Sequence, residues 1–102
     1  MNHPCPVCYA PMETYSDYLD GHTLLESYEE CPHGCYVYRY GYGNTEMMVN
    51  IRGHKILFGH SYQDKQEDIK ADWAAVEELF EPARKALIED LRAKVAIFSG
   101  PQ

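Results

Sequence analysis

Four cysteines constrain this chain more than any other feature, because they form two close pairs. Two residues separate Cys5 from Cys8, three separate Cys31 from Cys35, and twenty-two residues lie between the pairs. Each pair can form a tight turn, or knuckle, that offers two sulfur ligands, and the spacer is long enough to bring the knuckles face to face. The spacing therefore predicts one tetrahedral metal site with Cys5, Cys8, Cys31 and Cys35 as ligands.

Other residues inside the knuckles favour the same turns. Pro6 and Pro32 follow the first cysteine of each pair, and Gly34 precedes the last cysteine. Proline presets φ for a turn, and glycine adopts the positive φ that other residues resist. Together with the cysteines, these residues resemble the zinc-ribbon, or rubredoxin-like, family. The resemblance implies a ribbon with a bound Zn²⁺ ion in residues 1–42, although a tyrosine follows each knuckle where glycine is usual.

Sequence alone leaves other uses of the cysteines open. A four-sulfur site also suits iron, and His3 or His33 could replace one cysteine as a ligand. Two disulfides would need an oxidising compartment, which we do not expect for a chain whose first residues lack an apolar leader. A redox-active pair should follow a strand and open a helix, whereas Pro11 lies close behind the first pair. A bound metal, with zinc favoured over iron, is therefore the expectation.

The charge balance bears on the class of partner. The formal net charge is −7, and residues 1–35 contain six acidic residues and no lysine or arginine. Neutralising phosphates needs clustered basic residues, so this balance disfavours a general nucleic-acid binder and binding to anionic membranes. An acidic surface can instead steer a basic protein partner. The candidate partner-binding residues are Glu26, Glu29, Glu30, Arg39 and Arg52.

Two stretches indicate β-structure. Asp20-Gly21 is a strong two-residue turn signal, and it predicts a hairpin that links the two knuckles. Residues 36–60 alternate between apolar and polar side chains, which predicts an antiparallel meander with one face built to be covered. Turns in this meander are expected at Gly43-Asn44 and at Gly53-His54.

These turns set a register for the meander. They place Tyr38 and Phe58 opposite Val49, so that the large apolar side chains fall on one face. The same face carries a stripe of tyrosines, for which two interpretations remain: a core face under a helix, which we favour, or an exposed platform for bases or a proline-rich peptide. The stripe consists of Tyr36, Tyr38, Tyr40 and Tyr42.

Residues 64–98 predict a long amphipathic helical segment, because their apolar residues recur at steps of three or four. Asp64 to Glu67 has the form of a capping box at its start. The sequence Ser99-Gly100-Pro101 is expected to end it. The predicted stripe consists of Ile69, Trp73, Val76, Phe80, Ala83, Leu87, Leu91, Val95 and Phe98.

Pro82 interrupts this helical pattern. Proline removes a backbone hydrogen bond inside a helix but suits the first turn of a new one, so the sequence predicts either two helices, about 64–80 and 82–98, or one kinked helix. A continuous helix would outrun the small sheet and leave the end of its stripe without a cover. A homodimer through the C-terminal helix would then be favoured.

The chain length of 102 residues predicts a single domain over 1–102, of the α+β class. The predicted architecture is a four-cysteine zinc ribbon with an antiparallel meander, followed by the C-terminal helical segment. No stretch of apolar residues is long enough for a membrane span, and a cytoplasmic location is expected.

The sequence predicts a protein without enzymatic activity. The sequence contains no phosphate-binding glycine loop, no G-x-S-x-G and no H-E-x-x-H. A site with four sulfur ligands is coordinatively closed, which suits structure rather than hydrolysis. The first hypothesis is a protein–protein interaction module, in one form a phage-type inhibitor or modulator of a nucleic-acid enzyme. The alternative hypothesis is a nucleic-acid-binding zinc-ribbon protein of the transcription or RNA machinery.

Overall fold

The computed structural model describes residues 3–98, together with the side chains of residues 3–94. Within residues 3–98 five antiparallel strands form one sheet in chain order, and two helices follow. The strands are β1 Glu13–Leu19, β2 Thr23–Glu30, β3 Tyr36–Gly41, β4 Asn44–Ile51 and β5 His54–Ser61. The helices are α1 Gln66–Glu78 and α2 Phe80–Phe98. The α+β class, with an antiparallel sheet ahead of a C-terminal helical segment, is confirmed. The predicted helix end at Ser99-Gly100-Pro101 lies outside the described residues.

The turn between β3 and β4 differs from the predicted one. It is centred on Tyr42-Gly43, whose φ angles are 52° and 87°, rather than on Gly43-Asn44. Two-residue hairpin turns of type I′ need positive φ at both central residues and favour glycine at the second, which this placement provides. The predicted register is therefore wrong by two residues, and Tyr38 lies opposite Met47. A shift of two residues keeps every side chain on its predicted face.

The turn between β4 and β5 shows the same correction. It is centred on Arg52-Gly53, with φ angles of 53° and 86°, and Phe58 lies opposite Met47 instead of Val49. Glycine again occupies the second turn position, and the apolar face is again preserved. The turn between β1 and β2 falls at Asp20-Gly21 as predicted, with φ angles of 51° and 74°.

The helices cover one face of β3–β5, which we call the covered face. Its centre is Met47, which is 2% exposed. Tyr36 meets the ring of Phe80 edge-on with centroids 5.4 Å apart, and Tyr38 stacks on Trp73 at 6.0 Å. The core interpretation of the tyrosine stripe therefore holds for Tyr36 and Tyr38.

The helical segment is broken, and the break precedes the proline. α1 ends at Glu78, Leu79 connects the helices, and Pro82 lies in the first turn of α2. Backbone N–H groups of a first turn have no partner inside their helix, so proline is tolerated there. In a continuous helix the N–H of residue 82 would bond to the carbonyl of Glu78, and proline lacks that N–H. The predicted boundaries of 64–80 and 82–98 are corrected accordingly.

The predicted capping box is also wrong. α1 begins at Gln66 with Lys65 as its N-cap, and no side chain caps it. The carboxylate of Asp64 instead accepts a hydrogen bond from the backbone N–H of Ser61 at 2.9 Å. Asp64 therefore closes the turn that leads out of β5, a local role that competes with capping.

Candidate metal centre

The structure brings all four cysteines together. Their sulfur atoms all lie within 4.8 Å of one another. Cys5, Cys31 and Cys35 are buried, and Cys8 is half-buried. The cysteines are free thiols, and the 3.5 Å between the sulfurs of Cys8 and Cys31 far exceeds the length of a disulfide bond, about 2.05 Å. The arrangement is compatible with a metal-binding site of the zinc-ribbon kind.

Backbone hydrogen bonds shape the first knuckle. The N–H of Cys5 donates to the carbonyl of Ala10 at 2.8 Å, and the N–H of Tyr9 donates to the carbonyl of Cys5 at 2.8 Å. The N–H of Val7 points at the sulfur of Cys5 at 3.4 Å. Tyr9 has a φ of 64°, so it adopts the left-handed conformation that glycine usually provides after a knuckle. The tyrosine at this position therefore keeps the knuckle geometry in spite of its side chain.

The second knuckle closes in the same way and joins the sheet. The N–H of Gly34 donates to the carbonyl of Cys31 at 2.9 Å, and the N–H of His33 points at the sulfur of Cys31 at 3.3 Å. Gly34 has a φ of 76°, as its predicted role in the turn requires. The carbonyl of Cys35 accepts from the N–H of Asn50 in β4 at 3.0 Å. The second knuckle is therefore part of the sheet framework rather than a loop attached to it.

Arg84 of α2 holds the first knuckle against the helix, a contact that sequence reasoning missed. Its Nε donates to the carbonyl of Val7 at 3.0 Å, and its Nη2 donates to the carbonyl of Pro6 at 2.6 Å. The guanidinium also lies 4.6 Å from the ring centre of Tyr9, a cation–π distance. No local pattern signals such a contact, because Arg84 lies seventy-seven positions after Val7 in the chain.

Burial, neighbouring charges and hydrogen bonds shift the pKa values of three of the thiols, and not all in the same direction. Burial raises the pKa of Cys5 to about 11, and burial with neighbouring thiolates also raises the pKa of Cys35. Burial opposes ionisation of Cys31 too, but N–H groups of Cys35 and His33 and the sulfurs of Cys8 and Cys5 lower its pKa. Four thiolates crowded this closely repel one another, and a divalent cation among them supplies the charge that lets them ionise together.

The two histidines named as alternative ligands take other places. The Nδ1 of His33 lies 3.6 Å from the sulfur of Cys8, beside the cluster. His3 instead bonds to Glu29 through its Nδ1 at 2.8 Å. Among the described residues, the cluster of ligand-type side chains consists of the four cysteines alone. The donor set that the geometry offers is therefore four sulfurs, with His33 beside the half-buried one.

The five candidate partner-binding residues do not form one patch. Glu26 and Arg39 lie on the face of the sheet opposite the helices, and Glu30 shares that face through its pairing with Val37. Glu29 points to the other side and bonds to His3. Arg52 is tied to α2, where it contacts Glu89 at 2.6 Å and Asp90 at 3.4 Å.

Sequence reasoning also missed a histidine–carboxylate pair beneath the helices. His60 of β5 bonds to Asp72 of α1 through its Nδ1 at 2.7 Å, and the imidazole ring lies beside that of Trp73. The side chain of His60 is only 8% exposed, so this pair is largely shielded from solvent. The pair joins the sheet to α1, away from the cysteines.

Neither helix within residues 3–98 combines the length and the apolar character that a membrane span requires. Comparison of the chain with protein-family models, with curated proteins and with solved structures gives no match. Inferences about function therefore rest on the geometry of the chain itself.

Proposed function

We propose that this chain is a zinc-stabilised, non-enzymatic protein-interaction module. The observation that carries the proposal is the convergence of four cysteine sulfurs within 4.8 Å of one another. Four sulfurs fill a tetrahedral coordination shell and leave no position for water or substrate, which is typical of structural sites. In this proposal Zn²⁺ is bound by Cys5, Cys8, Cys31 and Cys35, and residues 1–42 act as a zinc ribbon.

The position of the cysteines supports a structural role for the metal. Cys8 and Cys31 flank the two ends of the β1–β2 segment, and Cys35 leads directly into β3. A metal bound there would tie both ends of the hairpin to the sheet, and its binding free energy would add to the stability of a small domain. Zinc suits this task because it brings no redox chemistry, whereas iron in the same four sulfurs would be redox-active.

The interaction class is supported by charge and by the sheet. The net charge of −7 is suited to steering a basic partner, and the sheet has a face that the helices leave free. For the alternative, a nucleic-acid binder, the basic residues near that face are Arg39 and Lys55, because Arg52 is neutralised by two carboxylates of α2. A modulator of a nucleic-acid enzyme that presents acidic groups to a basic groove is one form of the proposal.

Native mass spectrometry of protein purified without a metal-affinity step tests the proposal. We expect one zinc ion per chain, retained against dilution and released by a strong chelator with loss of cooperative unfolding. A metal-free, fully folded chain would overturn the zinc assignment. Visible absorption from thiolate-to-iron charge transfer would show that the bound metal is iron instead of zinc. Fluorescence anisotropy with single-stranded and duplex nucleic acid separates the alternative, because tight salt-sensitive binding would favour the nucleic-acid class.

A further inference from the structure

The face of the sheet opposite the covered face is bare; we call it the open face. It is formed by side chains that pair across the strands, and none of the elements within residues 3–98 packs on it. Leu57, which lies opposite Met48 on this face, is 75% exposed. Sheets with one covered face normally present polar residues on the other, so exposed apolar and aromatic side chains there need an explanation.

The β1–β2 end of the open face carries a stacked tyrosine pair. Tyr15 and Tyr28 lie directly opposite each other, with ring centroids 5.6 Å apart and an angle of 24° between the ring planes. They are 48% and 37% exposed. Their rings therefore form a small aromatic surface that solvent reaches.

Two pairs of like charges flank the tyrosines. Side chains directly opposite in an antiparallel pair point to the same face, and a step of two residues returns to that face. Each tyrosine therefore has an acidic residue two positions before it and another two positions after it, all on the same face. The flanking pairs are Glu13 opposite Glu30 and Asp17 opposite Glu26.

Within residues 3–94, none of these four carboxylates forms an ion pair. The ion pairs within the described part of the chain use other acidic residues, on α1, on α2 and at Glu29. Like charges directly opposite in a sheet destabilise it, so the arrangement costs the isolated hairpin free energy. A cationic partner would relieve that repulsion. The negative faces of aromatic rings between the carboxylates attract cations as well.

A shallow depression adjoins the tyrosine pair. It has a volume of about 400 Å³, and its lining includes Tyr28, Glu26, Arg39 and Glu46. Along each strand the acidic residues lie about 14 Å apart, with a tyrosine midway, at the strand rise of about 3.4 Å per residue. An extended peptide with basic side chains at alternate positions presents charges about 7 Å apart on one side, which fits this spacing.

We propose that this acidic tyrosine surface, formed by Tyr15, Tyr28 and the two flanking acid pairs, docks an extended arginine- or lysine-rich protein segment. The inference rests on the proposed interaction function and names its partner. A basic segment is favoured because its positive charge complements the negative charge of the surface. Nucleic acid and a second copy of this acidic chain would both bring negative charge to the surface.

A matched pair of variants tests the docking surface in the zinc-loaded protein. In D17K/E30K one member of each acid pair is reversed, so both like-charged pairs become opposite-charged pairs. The hairpin then keeps or gains stability, while the surface loses its net negative charge. In the control E77K/E78K the same change in net charge is made on the exposed end of α1, on the other side of the sheet.

The probe is a fluorescently labelled peptide with arginine at alternate positions and serine between them, titrated by anisotropy at low salt. We expect D17K/E30K to weaken binding by about tenfold or more and the control by less than about threefold. Tyr15→Ser should weaken binding as well, because it removes half of the aromatic surface. A peptide of the same composition with its arginines clustered at one end should bind less tightly.

Three results would overturn the proposal. They are no binding by the wild-type protein, equal weakening in D17K/E30K and the control, and tighter binding of single-stranded DNA than of the peptide. Native mass spectrometry of each variant separates this inference from the proposed function. If the wild-type protein binds zinc but not the peptide, only the docking proposal is contradicted. If the wild-type protein contains no zinc, the proposed function itself is contradicted.

Discussion

The β1–β2 hairpin and the β3–β5 part of the sheet have similar backbone pairing but differ in how far their side chains are buried. Both are antiparallel and both turn through residues with positive φ. In the β3–β5 part Val49 is fully buried under the helices, whereas every residue of β1 is exposed. Hydrogen-bonded pairing shapes both regions, but a two-stranded hairpin alone is at best marginally stable in water. Packing under the helices therefore supports β3–β5, whereas the hairpin depends on the pairing of β2 with β3 and on the residues at its base.

The side chains explain the difference in cover. β4 alternates between Thr45, Met47 and Val49 on the covered face and polar residues or Met48 on the other. The hairpin instead places acids and tyrosines on the open face and hydroxyl residues such as Ser16 and Ser27 on the opposite one. Every residue of β1 is exposed, Tyr18 included, so the hydrophobic effect supplies little stabilisation there.

The largest expected effect comes from breaking the attachment at the base of the hairpin. Cys31→Ser removes a buried sulfur from the cluster next to the end of β2. We expect loss of bound zinc and a decrease of about 4 kcal/mol or more in the free energy of unfolding, because the free energy of binding structural zinc is part of the free energy of folding. Urea unfolding with metal analysis measures both. Ser16→Ala in β1 is the control, and equal stability of both variants would contradict a structural metal.

The next effect contrasts packing in the two regions. Met47→Ala empties a fully buried position and should destabilise the protein by about 2–5 kcal/mol. Leu19→Ala, at the exposed end of β1, should cost less than about 0.5 kcal/mol. Both are measured by urea unfolding at constant zinc. Similar costs at the two positions would mean that the hairpin is packed in solution against something.

A smaller effect is expected where α2 holds the first knuckle. Arg84→Lys keeps the charge but loses the forked donation to the carbonyls of Pro6 and Val7 and the contact with Tyr9. We expect a loss of about 1–2 kcal/mol in unfolding free energy and faster zinc release to a chelator. Arg92→Lys, at an exposed position of the same helix, should leave both quantities unchanged. An unchanged zinc release rate in both variants would remove Arg84 from the support of the metal centre.

The smallest effect is expected from the stacked tyrosine pair of the hairpin. Tyr15→Ala removes the stack on Tyr28, which is worth about 0.2–1 kcal/mol for a cross-strand pair. Hydrogen exchange should quicken for the amides of β1 and β2 but not for those of β4, because the hairpin opens by itself. Tyr18→Ala, in the same strand and similarly exposed, is the matched control. Equal quickening throughout the sheet would show that hairpin and core open together.

The local signals in the sequence were informative where distance along the chain is short. The knuckles depend on residues within three or four positions of each other, and the four sulfurs do converge. The face of each meander residue was also predictable, because alternation has a period of two. The register was not, since a shift of two residues leaves that alternation unchanged. The structure settles it by putting glycine at the second turn position, as at Gly43 and Gly53.

The pairing within the hairpin contains a β-bulge. Asp17 pairs with Glu26, but Tyr18 pairs with Leu24, so Leu25 is an extra residue in β2. Such a bulge reverses the alternation on one side of it, and a search for a regular period cannot recognise it. The sequence predicted the hairpin from its turn at Asp20-Gly21 but not the position of this bulge.

The sequence by itself determined the four-sulfur set, the succession of strands and helices, and which side chains face the helices, because these follow from spacing and periodicity along the chain. Tertiary structure alone decided that Arg84 clamps the first knuckle, that His60 meets Asp72, and that the open face presents acids around a tyrosine pair. These contacts join residues that lie far apart in the sequence, on different structural elements. Their energies depend on burial and distance in the folded state, which no local pattern encodes.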